Sequence, residues 1–349
     1  MIYVQILALH VEEKSLMKLD LVHFVLIVRL TINELECEGE IVLKFIVEES
    51  CENRDELLQV INIIEKPIRD IVEANQLDSL KYLVVSDSNM ECFSGAVDKY
   101  AKLLNVYTSL TDTGYFSACA KTLDGIMDDG QYSQVIIVKS LIICAINYAM
   151  NYEAILMSGI DQEQIPSLKT CEATGWLILL HEIGHAVDNA NIYSMRHKSI
   201  NKVIFDIKYE FDELIESHAF SLWGEYFAEV FASRIVQSVD CEDTNYEEEL
   251  KKCIESHNEK KTEVIIVDKI YRILYLFVHC IAHRHIQNGT GFNYDKFVDE
   301  DILEGYVPFL ARTEIAMINL IQQYPKWNIE TCMNEMSQII KDMYEFEMK

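Results

Sequence analysis

The stretch that decides the fold reads Trp176-Leu-Ile-Leu-Leu-His-Glu-Ile-Gly-His-Ala-Val-Asp188. Positions four apart lie almost above one another on an α-helix of ~3.6 residues per turn, so His181 and His185 are predicted to direct both imidazoles to one place. Glu182 follows the first histidine and projects into the adjoining sector. Two neutral imidazoles on one rigid helix, with a carboxylate beside them to accept a proton, match what a catalytic zinc ion requires.

The residues around this motif predict that it is buried. Trp176 to Leu180 are all apolar, and Ile183, Ala186 and Val187 continue the apolar character, which is typical of a core helix. Burying two histidines and a glutamate without partners costs free energy, and a bound cation would satisfy them. The alternative is a pair of ordinary core histidines hydrogen-bonded to the backbone.

A third protein ligand is expected, because a catalytic zinc ion has three and keeps one position open for water. The best source is the downstream segment Trp223-Gly-Glu-Tyr-Phe-Ala-Glu-Val-Phe-Ala-Ser-Arg234. Glu225 and Glu229 share one helical face of this apolar segment. Glu225 is the predicted ligand, and Glu229 is predicted to hydrogen-bond a ligand histidine from behind. His218 is the rival third ligand, and the two acids could also form an ordinary solvated face.

The two motifs together resemble a known family. His181-Glu-Ile-Gly-His185, followed by Glu225-x-x-Ala-Glu-x-Phe-Ala232, resembles the gluzincin metallopeptidases and, among them, most closely the ImmA/IrrE-type proteases. The resemblance implies that His181, His185 and Glu225 hold one zinc ion per chain and that Glu182 is the general base. It therefore implies a zinc-dependent peptidase that hydrolyses a protein or peptide substrate.

Two further acids are expected to support the ligands. Asp188 and Glu229 are candidates for hydrogen-bonding the ligand histidines, and Glu229 stands where Asp or Asn is more usual in the ImmA/IrrE family. The metzincin arrangement is excluded, because Asp188 and Asn191 occupy the positions where it needs glycine and histidine.

A second histidine pair, His279 and His283, closes a long apolar helix predicted to begin near residue 262. Its spacing equals that of His181 and His185, but no glutamate follows the first histidine. Three interpretations remain open for this pair. The histidines are ordinary residues near a helix C-terminus, or they stabilise the oxyanion that forms during hydrolysis, or they bind a separate metal ion.

The bulk composition restricts the partners. The 349 residues are 50% hydrophobic, enough for a sizeable core, and the net charge of −27 opposes binding to nucleic acid or anionic membranes. The ten cysteines are irregularly spaced and form no C-x-x-C pair, which favours reduced thiols and a cytoplasmic location. No secretion signal is evident, and no apolar run approaches the ~20 residues that span a bilayer.

The predicted fold class is α+β and zincin-like, with a mainly helical catalytic half and an α/β N-terminal half. Residues 1–125 are predicted to form the α/β region, as scaffold or substrate-recognition surface, and residues 126–349 the metallopeptidase domain with its helical C-terminal part. Strands are predicted at 2–10, 18–32, 41–48, 80–86 and 135–138, and helices at 54–75, divided or kinked by Pro67, and at 96–104.

Three assignments are less specific. Residues 142–149 fit either a helix or a strand, an edge strand that pairs with substrate is expected within residues 134–160, and residues 189–220 are predicted to be a long mixed connection.

The alternative function is a zincin-like regulatory binding protein with a structural or vestigial metal site. Glu182 favours the enzyme, because a purely structural site does not need a general base.

Overall fold

The computed structural model describes residues 43–106, 119–150, 165–199, 211–236, 244–256, 263–287, 291–295 and 304–348. The strands predicted at 2–10 and 18–32 lie outside these residues. The described elements, in chain order, are β1 (Lys44–Val47), α1 (Arg54–Ala74), β2 (Leu80–Ser86), α2 (Met90–Leu103), β3 (Ala120–Ile126), β4 (Tyr132–Lys139), α3 (Ser140–Met150), α4 (Ile165–Ser199), α5 (Phe211–Ile235), α6 (Thr244–Glu255), α7 (Glu263–Gln287), α8 (Val307–Gln323) and α9 (Asn334–Glu347). The predicted α+β class is confirmed, with helices predominating.

The four described strands form one mixed sheet in the order β1-β2-β4-β3. β1, β2 and β4 are parallel, whereas β3 runs antiparallel to β4 at the edge. Both faces of the two inner strands are covered, which explains their continuous apolar sequences. Val84, Val135 and Ile137 pack toward α2, while alternate residues join the larger core that contains α1, α3 and α4.

Several sequence predictions can be compared directly with these elements. β2 has the predicted bounds, and residues 142–149 belong to helix α3. Pro67 is predicted to divide or kink this helix; a division is wrong, because α1 continues through that residue, whereas the kink stays a prediction. Proline removes the hydrogen bond to the carbonyl four residues earlier. That residue is Ile63, which is 52% exposed at the surface of the helix.

The edge strand predicted within residues 134–160 is not found among residues 134–150, and residues 151–160 lie outside the described part of the chain. β4 lies inside the sheet, and the edge that packs against α4 is β3. The two strands form a hairpin closed at Asp128-Asp-Gly130, where Gly130 has φ +82° and Met127 N donates to Gln131 O at 3.0 Å. The domain boundary predicted at residue 125 therefore falls inside a hairpin, and one sheet contains strands from both sides of it.

The segment predicted as a long connection at 189–220 is mostly helical where the structure describes it. α4 continues to Ser199 and α5 begins at Phe211. The two helices pack side by side, and α7 lies on α5, so α5 is the central helix of the candidate site. None of the described helices has the length and apolar character that a bilayer crossing requires.

Candidate metal centre

Helix α4 directs two imidazoles to one point. His181 and His185 lie one helical turn apart, their rings cross at 83°, and their Nε2 atoms are 3.0 Å apart. The neighbouring turn residues Leu180, Ile183 and Ala186 are buried and hold the helix against the core. The ring nitrogens therefore converge because the helix itself fixes their spacing.

Helix α5 adds a carboxylate to the same point. Glu225 Oε2 lies 3.4 Å from His181 Nε2, and Glu225 Oε1 lies 3.7 Å from His185 Nε2. Within the described part of the chain, these three residues are the group whose donor atoms converge within 4.8 Å of one another. His218, the rival third ligand, lies elsewhere on α5 with its ring 4.6 Å from that of Tyr271.

The close approach of α4 and α5 depends on Gly184. A β-carbon at this position would lie 2.8 Å from Ala228 Cα and 3.2 Å from Ala228 O. Any larger residue would push the helices apart. The glycine inside the motif thus places Glu225 within reach of the histidines.

The donor atoms fit a zinc ion. Ligands about 2.0–2.1 Å from a tetrahedral metal are separated from one another by roughly 3.3 Å. The histidine Nε2 atoms are 3.0 Å apart, Glu225 Oε2 lies 3.4 Å from His181 Nε2, and Glu225 Oε1 lies 3.7 Å from His185 Nε2. Two imidazoles and one carboxylate also leave a fourth position for water, which is the donor set of a catalytic rather than a closed structural site.

The electrostatics of the site favour a cation. Burial alone would raise the pKa of Glu225, but the histidines beside it, His185 and His181 foremost, hold that pKa well below its usual range. Burial would likewise raise the pKa of Glu229, but hydrogen bonds with histidines, His181 first among them, hold it well below normal. Two buried carboxylates therefore stay ionised beside the histidines, and a metal ion bound here could replace the positive charge that the histidines supply.

The pKa values of the two histidines of α4 are shifted in opposite directions. Burial lowers the pKa of His185, whereas at His181 the effect of burial is outweighed by hydrogen bonds with Glu225 and Glu229, which raise that pKa well above normal. A metal ion that binds His181 Nε2 must displace a proton, so metal affinity falls as the pH is lowered.

Glu229 contacts a ligand histidine from behind. Its Oε2 atom lies 3.1 Å from Nδ1 of His181, the ring nitrogen that points away from the cluster. A hydrogen bond there fixes the tautomer that leaves Nε2 free for a metal.

Asp188 occupies the equivalent region beside His185. It is buried and accepts a hydrogen bond from Trp223 Nε1 at 3.0 Å. A β-carbon on Gly224 would lie 3.7 Å from His185 Nδ1 and 3.8 Å from Asp188 Oδ2, so both atoms border the same small space. Burial raises the pKa of Asp188 to about 7, although hydrogen bonds from Trp223 and Tyr324 oppose the shift.

Glu182 is held by the edge strand. The residue is buried, and Thr122 Oγ1 on β3 lies 2.6 Å from Glu182 Oε2 and 2.9 Å from the Glu182 carbonyl oxygen. Thr122 was not predicted from the sequence. The Asp129-Gly130 pair ahead of a buried strand is a hairpin signal, and it could have located β3.

The second histidine pair lies on α7 behind the cluster rather than in a separate place. His279 is 3% exposed, with Nε2 3.5 Å from Glu225 Oε2. His283 Nε2 lies 2.8 Å from Glu229 Oε1. Both histidines therefore contact the carboxylates of α5.

Comparisons of this chain with protein-family models, curated proteins and solved structures give no match.

Proposed function

We propose that this chain is a zinc-dependent peptidase with a zincin-like catalytic centre. The observation that carries the proposal is the convergence of His181, His185 and Glu225 from two helices, with Glu182 beside the first histidine. The motif resemblance to the ImmA/IrrE-type proteases supports the same assignment. A metal ion held there would supply a Lewis acid that lowers the pKa of a bound water and polarises the scissile carbonyl.

The protein's own residues would divide the remaining work. Glu182 takes the proton from the attacking water and delivers it to the leaving amine. The Thr122 hydroxyl holds the Glu182 carboxylate in place, and Glu229 holds the His181 ring. Each contact reduces the motion needed to reach the reactive geometry.

The position of strand β3 at the edge of the sheet supports the proposal that the substrate is a peptide. It pairs with β4 on one side, no other described strand pairs with its second side, and it packs against the metal-binding helix. An extended peptide can add to such an edge through backbone hydrogen bonds. A substrate bound to β3 would lie beside Glu182, because Thr122 of this strand hydrogen-bonds the Glu182 carboxylate.

We further propose that the peptidase acts in the cytoplasm. None of the seven cysteines whose side chains the structure describes forms a disulfide, which suits a reducing compartment. The net charge of −27 favours substrates with basic segments.

The first test is the metal content of protein purified without added metal. We expect one equivalent of zinc in the parent and in His218→Ala, and none in Glu225→Ala. The parent is then incubated with a peptide library whose amino termini are blocked, and new termini are identified by mass spectrometry. Glu182→Gln should retain zinc and produce no new termini. Zinc without cleavage in the parent would instead support the regulatory binding protein, and absence of zinc would overturn the metal site itself.

A further inference from the structure

The carboxylates of α5 are shared by two parallel imidazoles. The rings of His181 and His279 lie 18° from parallel with centroids 6.0 Å apart. His181 Nε2 and His279 Nε2 lie 3.4 and 3.5 Å from the same atom, Glu225 Oε2. Their Nδ1 atoms lie 3.1 and 3.4 Å from the same atom of the second acid, Glu229 Oε2. His279 thus repeats, from α7, the contacts that the candidate ligand makes from α4.

His283 completes the contacts of Glu229. Its Nε2 atom lies 2.8 Å from Glu229 Oε1, the oxygen that His181 and His279 leave open. Both oxygens of this buried carboxylate therefore face imidazoles. Because an ionised carboxylate only accepts hydrogen bonds, His181 Nδ1 and His283 Nε2 are the donors to Glu229, whereas His279 Nδ1 lies in contact with it at 3.4 Å.

Aromatic packing fixes the ring plane of His279. Tyr246 stacks on it at 5.0 Å with an interplanar angle of 6°, and Tyr275 packs at 4.6 Å and 60°. With its faces covered and its side chain buried, His279 is directed toward the two acids. His279 lies outside the three residues whose donor atoms converge.

We infer that His279 and His283 are positioning residues that hold the Glu225 and Glu229 carboxylates in the orientation the metal centre requires. His279 fixes the ligand Glu225, and His283 fixes Glu229 so that its other oxygen meets His181. The inference rests on the proposed metal site and adds the helix α7 to it. We therefore infer a positioning role for His279 and His283 instead of contact with an oxyanion.

Two substitutions separate the contacts that His279 makes. In His279→Gln the side-chain amide nitrogen can take the place of Nε2 and still donate to Glu225. In His279→Asn it can take the place of Nδ1 and donate to Glu229 alone. His218→Gln, on α5 but outside the cluster, is the matched control. Thermal unfolding of each metal-free variant first establishes that it is folded.

The readouts are the zinc dissociation constant, measured by chelator competition, and the visible absorption spectrum of the cobalt-substituted protein. We expect His279→Asn to bind zinc 10–100-fold more weakly with an altered cobalt spectrum, as for loss of other groups that orient metal ligands. His279→Gln should stay within about threefold of the parent, with its spectrum preserved, and His218→Gln should match the parent.

Each other outcome overturns the inference. Parental affinity in both variants would show that His279 does not position Glu225. If zinc affinity falls equally in both His279 variants and the cobalt spectrum is unchanged, His279 contributes only through packing. Two metal equivalents in the parent, one of them lost in His279→Asn, would show a second metal site. If the parent binds zinc and the His279 variants bind it equally well, only this inference is wrong. If the parent binds no metal, the proposed function is wrong as well.

Discussion

At the scale of single residues, the site depends on groups that hold the reactive ones. Thr122 is the clearest case, because its hydroxyl contacts both the carboxylate and the backbone carbonyl of Glu182. A hydrogen bond to a charged group contributes about 1.5–3 kcal/mol. Without it, the carboxylate could rotate away from the position in which the proposed mechanism has it accept a proton.

Replacing Thr122 tests this contact. We expect Thr122→Val to lower kcat about tenfold, the equivalent of about 1.4 kcal/mol in the barrier, with little change in KM. Thr122→Ser keeps the hydroxyl and should stay near the parental rate. Steady-state kinetics on a peptide identified in the cleavage screen measure both constants. Equal rates for the valine and serine variants would contradict the positioning role of the hydroxyl.

Asp188 makes stability depend on pH. Its pKa is raised from 3.8 to about 7, chiefly by burial. Between these values the unfolded chain loses the proton while the folded metal-free protein keeps it. Stability from this group is therefore fully present below pH 4, declines as the pH rises to about 7, and is constant above that, with a slope of at most roughly 1.4 kcal/mol per pH unit.

The variant Asp188→Asn does not titrate and isolates this effect. We expect the free energy of unfolding of the metal-free parent, minus that of the variant, to fall between pH 4 and pH 7 and then to level off. Urea unfolding at each pH, followed by circular dichroism, measures both proteins. A difference that stays flat from pH 4 to pH 8 would show that Asp188 ionises normally in the folded state.

At the scale of elements, α5 packs against other helices on several sides. It packs on α4 through Gly184, and its other side meets α7 and α8. Tyr226 contacts His285 Nδ1 at 2.9 Å, and His285 Nε2 contacts Glu314 Oε1 at 3.0 Å. This chain of hydrogen bonds joins three helices and limits how far α5 can shift.

Widening the α4–α5 contact should weaken the metal site. Gly184→Ala places a methyl group 2.8 Å from Ala228 Cα, so the helices must separate. We expect metal affinity to fall at least tenfold and the free energy of unfolding to decrease by about 1–3 kcal/mol. The measurements are zinc competition titration and chemical unfolding.

Gly95→Ala is the matched control for this substitution. Gly95 also lies in a helix, α2, but an added β-carbon has nothing within 4 Å. Alanine should therefore leave metal affinity unchanged and raise stability by about 0.5–1 kcal/mol. Unaltered zinc binding in Gly184→Ala would show that the spacing of the two helices does not govern the site.

At the scale of the whole molecule, one core joins the sheet to the helices of the site. Buried residues of β2, β4, α4, α5 and α7 belong to the same hydrophobic cluster. The metal centre therefore connects parts of the chain that fold together. A metal ion bound only by the folded form stabilises it by mass action.

Metal removal should lower the stability of the whole fold. With free zinc at about a thousand times the dissociation constant, we expect the free energy of unfolding to exceed that of the chelator-treated protein by about 4 kcal/mol. His185→Ala should show no such difference. Calorimetry or chemical unfolding with and without zinc provides the values, and a parent whose stability ignores zinc would argue against a site formed only on folding.

The sequence by itself determined what depends on neighbours along the chain. The four-residue spacing of His181 and His185 places two imidazoles together on any α-helix, and the apolar runs of β2 and β4 are those of buried strands. The hairpin at β3 escaped prediction because a short edge strand carries few apolar residues, although its Asp-Gly turn was visible.

Only the tertiary structure decided which distant side chains meet. Glu225 and His218 stand on the same helix, yet only Glu225 reaches the histidines of α4. The packing of separate elements also places His279 and His283 against the two acids of α5. It likewise places Thr122 beside Glu182. The physical reason is that helical periodicity fixes spacing within an element, whereas contacts between elements depend on close packing, including the missing side chain at Gly184.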